Sequence, residues 1–208
     1  MNNIKKFIHD IAKTPIELIG NSENLYNPTP QYGKIRAHNL ELYLNQMHEL
    51  APTLLLLGEA PGYKGCGLTG VPFSSEKIVK TNTFFTNQAY KLVDPSKLES
   101  EQSATIVWNF LNTLKQPPLI WNIFPFHPYK GNNIKSNRTP NEMELEMGKK
   151  FVLKLLNIFN IKHIIAVGRK PEQMLKDLNI SYEYVRHPAN GGKNKFIEGI
   201  NNVYANQK

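Results

Sequence analysis

Four consecutive leucines at positions 54 to 57 run directly into Gly58-Glu59-Ala60-Pro61-Gly62, and this junction constrains the fold more than any other stretch of the chain. An apolar run without polar alternation is the signature of a strand buried on both faces of a parallel sheet, and a Pro-Gly pair ends such a strand. The turn therefore sets a single acidic side chain, Glu59, at the carboxyl end of a buried strand, which is where open α/β sheets bind their ligands.

Three further segments repeat the pattern. Residues 119–123, 163–167 and 181–185 read as short strands, and each is separated from the next by helical periodicity or turn residues. Apolar positions Ile4, Phe7, Ile8 and Ile11 predict a first helix, a Pro/Asn-rich loop covers 27–30, and a second helix spans 32–50. The long connection after the first strand carries helical patches at 77–92 and 101–114. An acidic helix follows Thr139-Pro140 to about residue 159, another covers 171–178, and a last one starts after Gly192. Parallel neighbours need crossovers, and right-handed crossovers put the helices on the faces of the sheet. The expected class is α/β: a three-layer α/β/α domain with a central four-stranded parallel sheet. It fills 1–208 as one unit, with residues 1–50 as a helical elaboration at the side.

No stretch of about 18 apolar residues is present, and the opening MNNIKKFIHDIAK lacks the apolar centre of a signal peptide, so a cytoplasmic location and no membrane role are expected. Cys66 is the one cysteine, which excludes an internal disulfide and any cluster held by several thiolates. His9, His38, His48 and His163 show no ligand spacing, so neither metal nor cofactor is expected. The formal charge of +8 lies wholly after residue 50, because the first 50 residues hold five basic and five acidic side chains. Lys130, Lys135 and Arg138 form one run without an acid, and Arg186, Lys193 and Lys195 form another; each directly follows a strand. Positive loops at one sheet edge suit phosphate binding, although a basic surface that merely aids solubility would look the same.

Other strand ends carry the remaining candidates. The glycine-rich loop 65–70 leads through Val71-Pro72 to Phe73, an aromatic face with little freedom to lose. Asn122 ends the strand Leu119-Ile120-Trp121, where an amide can donate and accept at once. His187 precedes Pro188 after the last strand, and His127 also precedes a proline, with roles as a second pocket residue, a contact to a phosphate-bearing partner or an interior hydrogen-bonded group all open.

In their order, Gly58-Glu59-Ala60-Pro61-Gly62, the glycine-rich loop ending in Phe73, the Asn122 strand and His187-Pro188 resemble the motifs of the uracil-DNA glycosylase superfamily, over roughly residues 50 to 205. The resemblance implies an N-glycosyl hydrolase of DNA base-excision repair, acting as a monomer on a flipped base in uracil-containing DNA. It implies that Glu59 orients water and stabilises a sugar cation and that His187 donates to base O2. Phe73 would stack on the base and Asn122 would read its edge, with Gly58, Ala60, Gly62 and Tyr63 completing the pocket. Asn122 suits uracil because acceptor O4 lies beside the N3–H donor, whereas cytosine reverses that pattern. The loop Asn190-Gly191-Gly192-Lys193-Asn194-Lys195, together with Lys130, would contact DNA.

Four departures from the family pattern matter. The four-cysteine iron-sulfur cluster of one branch with this first motif is missing. The catalytic aspartate of the best known branch aligns with Ala60. Gly62 stands where that branch has a tyrosine that rejects a methyl on carbon 5, with Tyr63 next to it as a substitute. The 189–195 loop lacks a leucine wedge, so single-stranded or mismatched DNA, which costs less to flip, is the expected substrate. Two rivals remain from the sequence: a DNA- or nucleobase-binding protein without catalysis, and an enzyme of free nucleosides or nucleotides.

Overall fold

The computed structural model describes residues 3–16, 20–29 and 32–206. Pro30 of the expected loop, and residues 1, 2, 207 and 208 of the expected domain, lie outside them. Four strands form the central sheet: β2 (Leu54–Gly58), β3 (Leu119–Asn122), β5 (His163–Val167) and β6 (Glu183–Val185), in the order β3-β2-β5-β6 and all parallel. All five residues of β2 are buried, as its unbroken apolar run requires. Helices flank the sheet in a three-layer α/β/α arrangement: α1 (Asn3–Ala12), α2 (Gly33–Leu50), α6 (Gln102–Leu111), α7 (Glu142–Ile158), α8 (Arg169–Asp177) and α9 (Lys193–Asn206).

The connection from β2 leads outward to β3, while that from β5 leads the other way to β6. The sheet's switch point therefore lies between β2 and β5, and a crevice opens at the carboxyl ends of these strands. Register brings Gly58 beside Asn122 and Leu57 beside Ala166, so the residues that follow β2, β3, β5 and β6 meet at one edge.

The N-terminal segment packs at the β3 edge of the sheet. The buried stripe Ile4, Phe7, Ile8 and Ile11 faces inward, and the Phe7 ring packs 5.4 Å from Trp121 of β3 and 6.1 Å from Phe151 of α7. The segment is not purely helical. β1 (Ser22–Glu23) pairs antiparallel with β4 (His127–Pro128), a two-residue ladder too short for periodicity to reveal. From α2, the Tyr43 hydroxyl accepts from Ile120 N–H at 2.7 Å and lies 3.3 Å from Ile120 O, covering the free edge of β3.

After the short α3 (Cys66–Thr69), the helical stretch expected over 77–92 is instead α4 (Glu76–Thr81) and α5 (Thr83–Thr86), followed by irregular chain. Asn82 is the break: its backbone is extended, and its side chain accepts from Phe84 N–H to cap the second helix. Beyond it, the buried Glu76 carboxylate accepts backbone N–H bonds from Val93, Asp94 and Glu99, which holds the connection down without regular structure.

Candidate active site

At the end of β2 the chain has no room for a side chain. A Cβ on Gly58 would collide with the Phe73 ring and stand 2.6 Å from Asn122 Oδ1, so glycine is what lets the aromatic and the amide meet over the strand end. The turn is then stitched to its neighbour: Ile123 N–H donates to Gly58 O at 2.9 Å and Phe124 N–H to Glu59 O at 3.1 Å. A narrow slot of about 40 Å³ opens there, and Glu59, Ala60, Gly62, Phe73, Asn122 and His187 all line it.

The Glu59 carboxyl is half-buried. Burial pushes it above the ordinary carboxylate range, against a hydrogen bond from the Thr139 hydroxyl and the charge of Lys170, which pull it down. Phe73 holds a left-handed backbone, φ 49°, unusual for an aromatic residue. Its carbonyl accepts from Trp108 Nε1 at 2.9 Å, and its ring lies 6.0 Å from His187 at 36°. Among the described residues no side-chain hydrogen bond ties down the Asn122 amide, although the residue is only 3% exposed. An amide fastening its own loop would show such a bond; this one faces the slot unpaired.

His187 has a defined tautomer. Ala189 N–H points at its Nδ1 from 3.2 Å, so Nδ1 is the acceptor and the proton resides on Nε2. Burial lowers its pKa, which keeps the ring neutral near pH 7. The site thus pairs a carboxylate with a neutral N–H donor across a slot that has an aromatic wall and a free amide.

Two candidates fall elsewhere. Tyr63 does not line the slot. It borders a neighbouring groove of about 580 Å³ with Lys64, His127 and Lys135, and its N–H is held by Asn137 Oδ1 at 3.0 Å. Lys130 is exposed in the 130–136 loop, bridged to Asn133, away from the slot. Arg138 is also withdrawn from the basic run, because both its terminal nitrogens bind the buried Glu144 carboxylate at 2.6 Å. Asn190 and Gly191 take positive φ, 52° and 75°, in the turn that follows His187, and Lys193 and Lys195 stand exposed on the first turn of α9. Gly192 lies buried in the same turn.

His127 is a strut. It is buried, with Nδ1 2.9 Å from Pro61 O and Nε2 2.9 Å from Ile134 O, clamping the first turn to the 130s loop. Cys66 is buried as well, and its thiol is pushed far up by burial. Among the described residues no cluster of three His, Cys, Asp or Glu side chains could hold a metal.

Two residues that meet the site are not legible as such in the sequence. Thr139 reads there only as a helix start. Glu101 reads as the first residue of a helical patch; in space it leans over the glycine-rich loop and lines the slot.

An open parallel sheet with these groups at its carboxyl edge, beside a switch point, places the protein in the class of α/β proteins that hold a ligand in the crevice at the strand ends. The family pattern described as the Uracil DNA glycosylase superfamily matches residues 46–204, and the chain belongs to that superfamily. The crystal structure of wild-type Pedobacter heparinus SMUG2 is similar over 100% of this chain and 98% of that one, with a TM-score of 0.70 at 19% identity, which is a likeness of fold. No curated protein matches the chain.

Proposed function

We propose that the protein is a DNA base-excision glycosylase that hydrolyses the N-glycosidic bond of uracil, or a related deaminated base, in DNA. The observation that carries this reading is the meeting of Glu59, Phe73, Asn122 and His187 around one slot in a chain of this superfamily. An extruded base stacks on Phe73 while the free Asn122 amide accepts from N3–H and donates to O4. The Nε2–H of neutral His187 donates to O2 as negative charge develops on the departing base. Glu59, held by Thr139, faces the sugar; its charge stabilises the oxocarbenium-like centre and it accepts the proton of the attacking water. The slot is smaller than a base, so its walls must part on binding.

The test is release of labelled uracil from single-stranded and duplex oligonucleotides, with free deoxyuridine as control and EDTA in a parallel arm. Excision from DNA that is unchanged by EDTA and absent on deoxyuridine is the expected result. DNA binding without base release would favour the non-catalytic alternative. Turnover of the free nucleoside would favour a small-molecule enzyme.

A further inference from the structure

Glu101 sits at the N-cap of α6, yet its carboxyl makes no capping bond and has no hydrogen-bond partner among the described residues. It turns away from its own helix toward the first loop. A Cβ on Gly65 would overlap its Oε2 and stand 2.7 Å from Ser74 O, so glycine is needed there for the carboxyl to lie over the loop. Oε2 is also 3.5 Å from the place where a side chain on Gly62 would begin. Glu101 thereby fills the gap that Gly62 leaves, and fills it with a polar group rather than a ring.

The orientation of a bound base follows from the proposed function, on which this inference rests. With Asn122 on N3–H and O4 and His187 on O2, the base turns carbon 5 and carbon 6 toward the wall that neither residue occupies. His187 packs on Phe73, whereas Glu101 packs on Gly62 and Gly65, so that remaining wall is the first loop with Glu101. A pocket simply open at carbon 5 would admit thymine, the normal base that differs from uracil by one methyl. An unpaired, largely desolvated carboxyl is a poor neighbour for a methyl and a good one for a hydroxyl, and sites built to bond a hydroxyl reject analogues that lack it far more strongly than apolar pockets do.

We propose that Glu101 is a specificity-determining residue: it bonds a polar substituent on carbon 5 of the pyrimidine and excludes the methyl of thymine. Burial pushes its carboxyl up to about 7, so near neutrality it is substantially protonated and able both to donate and to accept.

Single-turnover excision of uracil, 5-hydroxymethyluracil and thymine from one single-stranded oligonucleotide context, by the wild type, Glu101→Gln and Glu101→Leu, tests this. The wild type should excise 5-hydroxymethyluracil within about tenfold of uracil and thymine at least about a hundredfold more slowly. Glu101→Leu should shrink the hydroxymethyl-to-methyl ratio by about thirtyfold or more, raising thymine excision relative to uracil. Glu101→Gln, which keeps a donor and an acceptor, should retain most of the preference. An unchanged ratio in Glu101→Leu overturns the assignment. So does a fall by one common factor on all three bases in both variants, which marks a purely structural role. If the wild type excises no uracil, the uracil reading of the proposed function fails and the inference with it; uracil excision with an unaltered ratio sinks the inference alone.

Discussion

Phe73 carries the least comfortable backbone in the site. A non-glycine residue at φ 49° persists only where its surroundings over-determine it, and here Trp108 Nε1 and the ring's seat over Gly58 do so. Glu59 and His187 are subtler, since each has its working state set by neighbours: Thr139 and Lys170 oppose the effect of burial on Glu59, and Ala189 N–H sets the His187 tautomer. If both act chiefly on the transition state, Glu59→Gln and His187→Ala should each lower single-turnover excision by about a hundredfold or more, with little change in DNA affinity. Equal losses in affinity and rate would assign Glu59 to holding the turn. The pH profile follows from the same groups. As pH falls, Glu59, whose pKa is raised, loses its charge earlier than an ordinary carboxylate and the rate declines. As pH rises through about 7, Glu101 ionises and adds negative charge beside the departing base anion, so the wild-type rate on uracil should fall again. The alkaline limb should vanish in Glu101→Gln; its persistence would trace that limb to another group.

Among the elements, the loop between β4 and α7 is anchored at its end by the pair of Arg138 with the buried Glu144 carboxylate. Burial pushes the Glu144 carboxyl up, but Arg138, the Ser22 hydroxyl and the Asn141 backbone together hold it below its ordinary range. The same carboxylate completes the capping box that starts α7, with Asn141 Oδ1 accepting from Glu144 N–H. Arg138→Ala would strand a fully buried carboxylate and should lower stability by about 3 kcal/mol, measurable by chemical denaturation. Because the folded pKa is depressed, the stabilisation is present above the unfolded carboxylate value and is lost as pH falls through the lower folded one. The variant should therefore lose less stability than the wild type between neutral and acid pH. Thr139 and Asn137 ride on the same loop, so excision should drop in Arg138→Ala as well.

For the molecule as a whole, net charge overstates the surface free to meet DNA. Arg138 is spent on Glu144, and Arg186 Nη2 donates to Asn190 O, within the turn that follows His187. Lys193 and Lys195 stay exposed with no ion-pair partner among the described residues, at the start of α9 and on the same sheet edge as the slot. Replacing both with Ala should weaken DNA binding at low salt and reduce the slope of log affinity against log salt by about 0.7 per lysine on single strands, with uracil preference intact. A slope unchanged in the double variant would move the phosphate contacts to the groove lined by Lys64 and Lys135.

The sheet and the motif order were legible along the chain because both are local. An apolar run with a Pro-Gly stop specifies a buried strand wherever it occurs, and parallel strands leave their ends at one edge, so Glu59, Asn122 and His187 could be paired with that edge from sequence alone. Boundaries came within a residue or two for most elements, and the failures have local causes too: the Asn82 cap splits a helix whose periodicity runs on, and the β1–β4 ladder is too short to show a period. What only the tertiary structure decided depends on which distant groups approach each other. Nothing around Glu101 says that it leaves its own helix for Gly62 and Gly65, nothing around Tyr63 says that it faces away from the slot, and Arg138 reads as a free cation until Glu144 is folded against it. A side chain's direction is set by packing across the whole fold, and burial, which moves Glu59, Glu101 and His187 from their ordinary pKa values, exists only once that packing is complete.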